Sequence, residues 1–307
     1  MKKITSAIFF AAILIISASA QNPYKSLFDG RDLTRHWIMP GFRVSDGIVI
    51  TDSPDGPGRN LFTRNQYGNF ILRFEYFLSY LGNSGVFLRC DPNNMRTCVE
   101  VQLLAPWTPT RPDLYCTGSV YGHVPVTDRP DETPGIWHEM EIRYDRKLIT
   151  VHVNGKLTTI ADTDTVESLK DKPLAGSIGF QSNHSDEGEY VKFRNIYIRD
   201  LDLEPDYVIS GFYEKDDQVR KYAHQAALSI GPAMIGLLAE KMSEDNPMVS
   251  SGARQILFDI IARTSRPEAS QNEKSIAVRA LRNSIENCTS ESTAEYLKWL
   301  LGMVESR

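Results

Sequence analysis

Residues 140–156, MEIRYDRKLITVHVNGK, carry the clearest structural signal in this sequence. Apolar and polar residues alternate over 140–144 and again over 149–153. Side chains of a strand point alternately to its two faces, so this period of two predicts two strands that are each buried on one side. Asn154-Gly155 follows, and this dipeptide favours a tight hairpin turn because both residues tolerate positive φ. The stretch therefore predicts antiparallel β-structure.

The same alternation recurs on both sides of this stretch. It is visible over 72–78 and 99–103, and two further strands are predicted close to residues 178–180 and 193–198. Many short strands that are separated by turns, with no helix between them, indicate a sandwich or barrel of antiparallel strands. We therefore assign residues 21–203 to a mainly β domain.

After residue 204 the spacing of apolar residues becomes helical. Asp216 and Asp217 are candidate caps for the first helix, and Asn272 is one for the fourth. A weak repeat at an offset of about 30 residues favours HEAT-type helix pairs, whereas an ordinary helical bundle accounts for the helices equally well. We expect residues 204–307 to form an all-α domain of one of these kinds, and stacked helix pairs would offer a surface to a protein partner. The predicted helices are 218–230, 232–242, 248–262, 272–287 and 292–304.

The first twenty residues have the pattern of a cleaved secretory signal. Lys2 and Lys3 precede an apolar run over 7–16, and Ala18-Ser19-Ala20 places small residues where a signal peptidase cuts. The apolar run is too short to span a bilayer as a helix. We expect residues 1–20 to be removed after Ala20, which gives a secreted or periplasmic protein with no membrane span.

Charge and cysteine content limit the function further. The net charge of −5 becomes −7 when the two signal lysines are removed, and no basic cluster is present, so nucleic acid is not expected as a partner. An oxidising compartment favours a disulfide. Two pairings are possible: Cys90 with Cys98 across a turn, or Cys98 with Cys116. Cys288 lies apart from these three.

Polar side chains recur on one face of the predicted strands. If the strands are neighbours, this face carries Arg73, Glu75, Arg89, Glu100 and Gln102. Such a face can pair donors and acceptors with the hydroxyl groups of a sugar. The alternative is that exposed strand faces are usually charged and that these residues only pair with one another.

Three loop residues are further candidates. Trp107 lies in a proline-bounded loop directly after the Glu100 strand, where it would stack on a sugar ring or close the edge of the sandwich. His123 and His184 lie in polar loops and belong to no metal-binding motif, so they are either site residues or solvent-exposed bystanders.

From Tyr24 to Asp200 the chain resembles the 3-keto-disaccharide hydrolase family, whose domain is a concanavalin-like jelly-roll β-sandwich. The resemblance implies a sandwich of this type, and the helical region lies outside it. After Gln102 the sequence departs from the family pattern, because Leu104-Ala105-Pro106-Trp107 stands where an acidic residue is common. The matching segments, in order, are 27–33, 82–89, 100–102, 117–121, 135–137, 153–156, 176–181 and 191–196.

The resemblance also implies a reaction. A ketone at C3 acidifies the proton at C2, a base removes this proton, and the substituent at C1 leaves by β-elimination; water then adds, for a net hydrolysis. We assign the base, or a ligand for a divalent metal ion, to Glu100. Arg89 is the candidate to stabilise the enolate, and His123 is the candidate acid or second metal ligand. The candidate substrate-binding residues are Asn83, Gln102, Trp107, Tyr121, Gln181 and His184.

Two other functions fit the same residues. A retaining or inverting glycosidase would use Glu75 and Glu100 as its carboxylate pair. A non-catalytic carbohydrate-binding module would share the fold, since lectins and enzymes both use it. In that case the helical domain would bind a protein partner.

Overall fold

The computed structural model describes residues 22–38, 42–51, 60–106, 111–185 and 188–306. The predicted signal peptide lies outside these residues and stays a prediction. No helix in the described part of the chain is long and apolar enough to cross a membrane.

The strands precede the helices along the chain. The strands of the described residues are β1 (Lys25–Ser26), β2 (Trp37–Ile38), β3 (Arg43–Ser45), β4 (Ile48–Ile50), β5 (Leu61–Thr63), β6 (Phe70–Leu78), β7 (Asn83–Cys90), β8 (Val99–Leu104), β9 (Trp137–Asp145), β10 (Leu148–Val153), β11 (Lys156–Asp162), β12 (Ser177–Phe180) and β13 (Val191–Asp200). The helices are α1 (Pro205–Ser210), α2 (Asp217–Ile230), α3 (Ile235–Lys241), α4 (Pro247–Thr264), α5 (Gln271–Glu286) and α6 (Glu291–Glu305).

The strands form two antiparallel sheets that pack face to face. The large sheet has the order β11-β10-β9-β6-β13-β4-β3, with β1 also paired to β13, and the small sheet has the order β2-β5-β12-β7-β8. Their facing side chains, such as Phe74 of β6 and Phe180 of β12, build one core. The predicted β-sandwich is confirmed, and the turn between β10 and β11 has positive φ at both Asn154 and Gly155.

The helices pack around a second core. Among them, α4 contacts α2, α3, α5 and α6. The middle unit of a stacked array also contacts the units on both sides, so these contacts do not confirm the HEAT-like interpretation. The predicted cap Asp216 accepts bonds from two backbone amides of α2. The prediction of Asn272 was wrong, because Ser270 caps α5 in a capping box with Glu273.

Hydrogen bonds join the helical domain to one end of the sandwich. The Asp202 carboxylate accepts bonds from the backbone nitrogen and Nδ2 of Asn69, at 2.9 and 2.7 Å, and from the Tyr222 hydroxyl at 2.7 Å. The Tyr222 hydroxyl oxygen would lie 2.0 Å from a Cβ at Gly68, so the close approach of α2 requires glycine there.

Arg89 lies at this junction, which corrects its predicted place on the polar face. Its φ is 48°. Phe87 and Cys90 of β7 pair with Gly179 and Ser177 of β12, so β7 contains one extra residue between these two pairs. This β-bulge turns the side chain into the interior. Its guanidinium donates to the carbonyl oxygens of Gly68 and Arg146 at 2.8 Å and lies over the Tyr144 ring.

Arg73 and Glu75 also differ from the prediction. They belong to β6 of the large sheet, whereas Glu100 belongs to β8 of the small sheet. Arg73 pairs with Glu141, and Glu75 pairs with Arg194. The five residues that were predicted to share one face are therefore divided between two sheets and the interior.

We predict that Arg89→Met lowers the free energy of unfolding by about 3 kcal/mol or more, because two buried carbonyls lose their donor. Urea denaturation followed by tryptophan fluorescence measures this loss. Arg73→Met is the matched control: its ion pair is exposed, so the change there is expected to stay within about 1 kcal/mol. Unchanged stability of Arg89→Met would contradict the structural role.

Candidate functional site

The outer face of the small sheet, the face that points away from the large sheet, carries an ordered row of side chains. Gly179 of β12 pairs with Phe62 on one side and Phe87 on the other, and Phe87 pairs with Glu100. The backbone nitrogen of Tyr121 donates to the Glu100 carbonyl at 2.9 Å, so the loop segment around Tyr121 extends the sheet beyond β8. Paired residues of antiparallel strands share a face. We call this set the aromatic row.

A second row lies two residues further along the strands. The backbone nitrogen of Gln181 donates to the Gly85 carbonyl at 2.8 Å, Gly85 pairs with Gln102, and the backbone nitrogen of Gln102 donates to the Ser119 carbonyl at 3.1 Å. The side chain of Gln102 also reaches Asn83, with 3.4 Å between Nε2 and Oδ1. We call these five residues the amide row. The structure therefore brings Asn83 of β7, Gln102 of β8 and Gln181, directly after β12, together near Glu100.

The Glu100 carboxyl group leans from the aromatic row into the amide row. A Cβ built at Gly85 would lie 2.1 Å from Glu100 Oε1, so this oxygen occupies the space above the glycine. Burial raises the pKa of the carboxyl from its ordinary value of 4.5 to about 7, and no charge or hydrogen bond from the described residues offsets the desolvation. A carboxyl with this pKa exchanges a proton readily near neutral pH.

The part of the aromatic row that contains Phe62 and Phe87 packs against apolar groups. The rings of Phe62 and Phe87 are stacked at 5.9 Å, and they pack with Cys90 and Cys98. These two cysteines form a disulfide, which resolves the pairing that the sequence left open; Cys116 and Cys288 remain thiols.

Tyr121 and His123 lie in the loop segment that follows Ser119 in the sequence. Tyr121 is 42% exposed and its ring meets that of Tyr115 edge to face at 5.2 Å. His123 Nδ1 lies 2.5 Å from the Ser168 hydroxyl. Burial, together with the nearby Lys172, lowers the pKa of His123, which favours its neutral form at pH 7. Tyr121 therefore accompanies Glu100 on the outer face, and His123 is engaged with a different loop.

The remaining candidates are less closely connected to Glu100. His184 is exposed, and its backbone nitrogen donates to the Asn83 carbonyl at 3.0 Å, beyond the amide row. Trp107 lies outside the described residues. Within the described ranges no three His, Cys, Asp or Glu side chains come together as a metal-binding group. The assignment of Glu100 and His123 as metal ligands stays a prediction.

Sequence reasoning missed four residues of this face. Phe87 pairs with Glu100, and Gly85 lies two residues before Phe87 on β7. Phe62 stacks on Phe87, and the Ser119 carbonyl accepts a bond from the Gln102 backbone nitrogen. The Ser119 hydroxyl is buried and makes no hydrogen bond within the part of the chain that the structure describes. The alternation of β7 places Gly85 and Phe87 opposite Val86, which was the one available signal.

Comparison with protein families gives one match. The model of the 3-keto-alpha-glucoside-1,2-lyase-like domain matches residues 23–199, from before β1 to the penultimate residue of β13. No curated protein matches the chain at a significant level.

Three solved structures are similar to little more than half of this chain. A protein from Parabacteroides distasonis described as a "putative glycosyl hydrolase" is 24% identical, over 58% of this chain and 99% of that one, with a TM-score of 0.52. A second one from the same organism is 25% identical, over 58% and 84%, with a TM-score of 0.46. A carbohydrate binding module from Bacillus subtilis is 10% identical, over 53% and 95%, with a TM-score of 0.39. The first match supports the fold of the sandwich.

We predict that Glu100 titrates with a midpoint near 7. NMR of the side-chain carboxyl carbons measures the midpoint, and Glu100→Gln identifies the signal by its loss. A midpoint near 4.5 would contradict the burial of this group. Because the pKa is raised in the folded state, the ionised carboxyl destabilises the fold. The stability of the wild type relative to Glu100→Gln should therefore fall as pH rises from 4.5 through 7 and then stay level.

Proposed function

This chain belongs to the 3-keto-alpha-glucoside-1,2-lyase-like domain family, and we propose on that basis that it cleaves 3-keto-glycosides by β-elimination followed by hydration. The observation that carries the proposal is the Glu100 carboxyl, with a pKa of about 7, beside a row of amide side chains. The base of such a reaction must be ionised at working pH and still basic enough to take a carbon-bound proton.

The proposed reaction begins when Glu100 takes the proton from C2 of the sugar. The electrons of that C–H bond are delocalised onto the ketone oxygen at C3 as an enolate. When the ketone re-forms, a double bond appears between C1 and C2 and the bond from C1 to the glycosidic oxygen breaks. The departing oxygen takes up one proton and leaves as an alcohol. Addition of water, hydroxyl to C1 and hydrogen to C2, yields the free 3-keto sugar.

The enolate oxygen needs donors that are aimed at it. Arg89 was predicted for this role, but its guanidinium is buried against Tyr144 at the domain junction. Gln102 lies on β8 and Gln181 directly follows β12, on the two sides of Gly85, and we propose that their side-chain amides supply these donors and hold the sugar hydroxyls. The described residues do not assemble a metal centre, so we derive no step through a metal ion.

The glycosidase alternative is disfavoured by the positions of its two carboxyls. Glu75 lies on the outer face of the large sheet in contact with Arg194 and Asn195, and Glu100 lies on the outer face of the small sheet. Two carboxyls on opposite sides of a sandwich cannot flank one glycosidic bond, as retaining and inverting mechanisms require.

Export is also a proposal. Its support is the signal-like pattern of residues 1–20, together with the disulfide between Cys90 and Cys98, since disulfides persist in oxidising compartments. A protein partner of the helical domain stays a prediction.

We predict that the protein releases a chromogenic leaving group from a 3-keto-glucoside and leaves the unoxidised glucoside intact. Glu100→Gln should lower kcat/KM at least about 100-fold, because an amide cannot accept the proton. Glu75→Gln is the matched control and should keep its activity, since that carboxyl lies on the other sheet. Release from the unoxidised glucoside would contradict the proposed chemistry. Binding of the keto-sugar without release would favour a binding module, and loss of release with a chelator would reveal a metal ion.

The activity should also depend on pH in a defined direction. Only the ionised carboxylate accepts a proton, so kcat/KM should rise with pH through an apparent pKa of about 7 and then level off. A profile that is flat between pH 5.5 and 8.5 would exclude Glu100 as the base.

A further inference from the structure

The backbone conformation at Gly85 does not require glycine. Its φ is not in the left-handed region, and it lies in the middle of β7 within a regular pairing to β8. Glycine in the interior of a strand weakens the strand by about 0.5–1 kcal/mol relative to alanine, unless something must approach the backbone closely. What approaches here is Glu100: a Cβ at Gly85 would lie 2.1 Å from Oε1 and 2.9 Å from both Cδ and Cγ.

The surrounding backbone cannot yield to a larger residue at this position. The Gly85 carbonyl accepts the bond from Gln181 on one side, and β8 pairs with Gly85 on the other. The Glu100 side chain is therefore the part that would move. Phe87 stands directly opposite Glu100 in the aromatic row, which closes the direction along β7 towards the disulfide. The way left for a displaced carboxyl group leads off the sheet, on the side where Glu100 is already partly exposed.

We infer that Gly85 is a positioning residue, which holds the Glu100 carboxyl flat against the sheet. The Glu100 carboxyl occupies the space above the Cα of Gly85 that a side chain would otherwise fill. In this position the carboxyl is shielded from water. One missing side chain therefore sets both the place of the base and its proton affinity. The catalytic part of this inference rests on the proposed function, whereas the seating of the carboxyl does not.

Gly179 provides a matched comparison on the same face. It lies in the middle of β12, and a Cβ there would meet the Phe62 ring at 2.5 Å rather than a titratable group. Alanine at Gly179 thus introduces a similar steric conflict into the same sheet without touching Glu100. An effect that appears with Gly85→Ala and not with Gly179→Ala belongs to the contact with the carboxyl.

The first experiment measures the titration of Glu100 by NMR in the wild type, Gly85→Ala and Gly179→Ala. We expect the midpoint to fall by at least about one pH unit in Gly85→Ala, because the displaced carboxyl regains water. In Gly179→Ala it should stay at the wild-type value. A folded Gly85→Ala protein with an unchanged midpoint would overturn the inference. If Gly85→Ala does not fold, Glu100→Asp alone provides the same test. Its shorter side chain withdraws the carboxyl from the space above Gly85, so the midpoint should fall towards the ordinary value of about 3.9, and a midpoint that stays raised would overturn the inference.

The second experiment uses activity on the 3-keto-glucoside. Gly85→Ala should lower kcat at least about tenfold while KM changes little, and its pH profile should shift to lower pH with the titration midpoint. Gly236→Ala, in α3 with open space around its Cα, should retain wild-type activity.

A double variant tests the contact itself. Glu100→Asp shortens the side chain by one methylene, which withdraws the carboxyl from the space over Gly85. Glu100→Asp alone should lower the activity, whereas adding Glu100→Asp to Gly85→Ala should lower it little further. A purely structural role of Gly85 would not produce this coupling. Additive losses would overturn the positioning role. If the wild type releases nothing, the proposed function fails, and the titration still decides whether Gly85 seats the carboxyl.

Discussion

The buried guanidinium of Arg89 is the interaction on which the arrangement of this protein depends. It comes from the small sheet, lies over Tyr144 of the large sheet, and donates to the carbonyls of Gly68 and Arg146 next to the helical domain. A buried cation is costly unless its donors are satisfied. These contacts satisfy donors at one end of the sandwich, where Asp202 also ties Asn69 to Tyr222. The junction between the two domains is therefore polar and specific rather than a simple apolar contact.

The position of Arg89 has a direct consequence for Glu100. Had β7 continued its alternation, the guanidinium would have shared the outer face with the carboxyl, and a nearby cation lowers the pKa of a carboxylate. The bulge at Arg89 removes the cation from that face, and burial then raises the pKa of Glu100 to about 7. One extra residue in a strand thus decides whether the face carries an ordinary ion pair or a group that can act as a base near neutral pH.

The helical domain and the candidate site occupy different parts of the sandwich. The helical domain covers the end where Gly68, Asn69 and Arg89 lie, and the candidate site occupies the outer face of the small sheet. Glycine serves close approach in both places: Gly68 admits Tyr222, and Gly85 admits the Glu100 carboxyl. Neither glycine has a positive φ, so each is explained by what packs on it rather than by a turn.

The sequence by itself determined the local elements: the alternation that builds the strands, the hairpin at Asn154-Gly155, the Asp216 cap and the shift to helical spacing after residue 204. It also placed Gln102 on the face of Glu100, because residues two apart on a strand share a face, and the family resemblance added Asn83 and Gln181. Only the tertiary structure decided that Arg73 and Glu75 belong to the other sheet, that Arg89 points inward, and that Gly85 lies under Glu100. The reason is physical: alternation depends on neighbours along the chain, whereas strand order, bulges and side-chain contacts depend on pairings between distant segments.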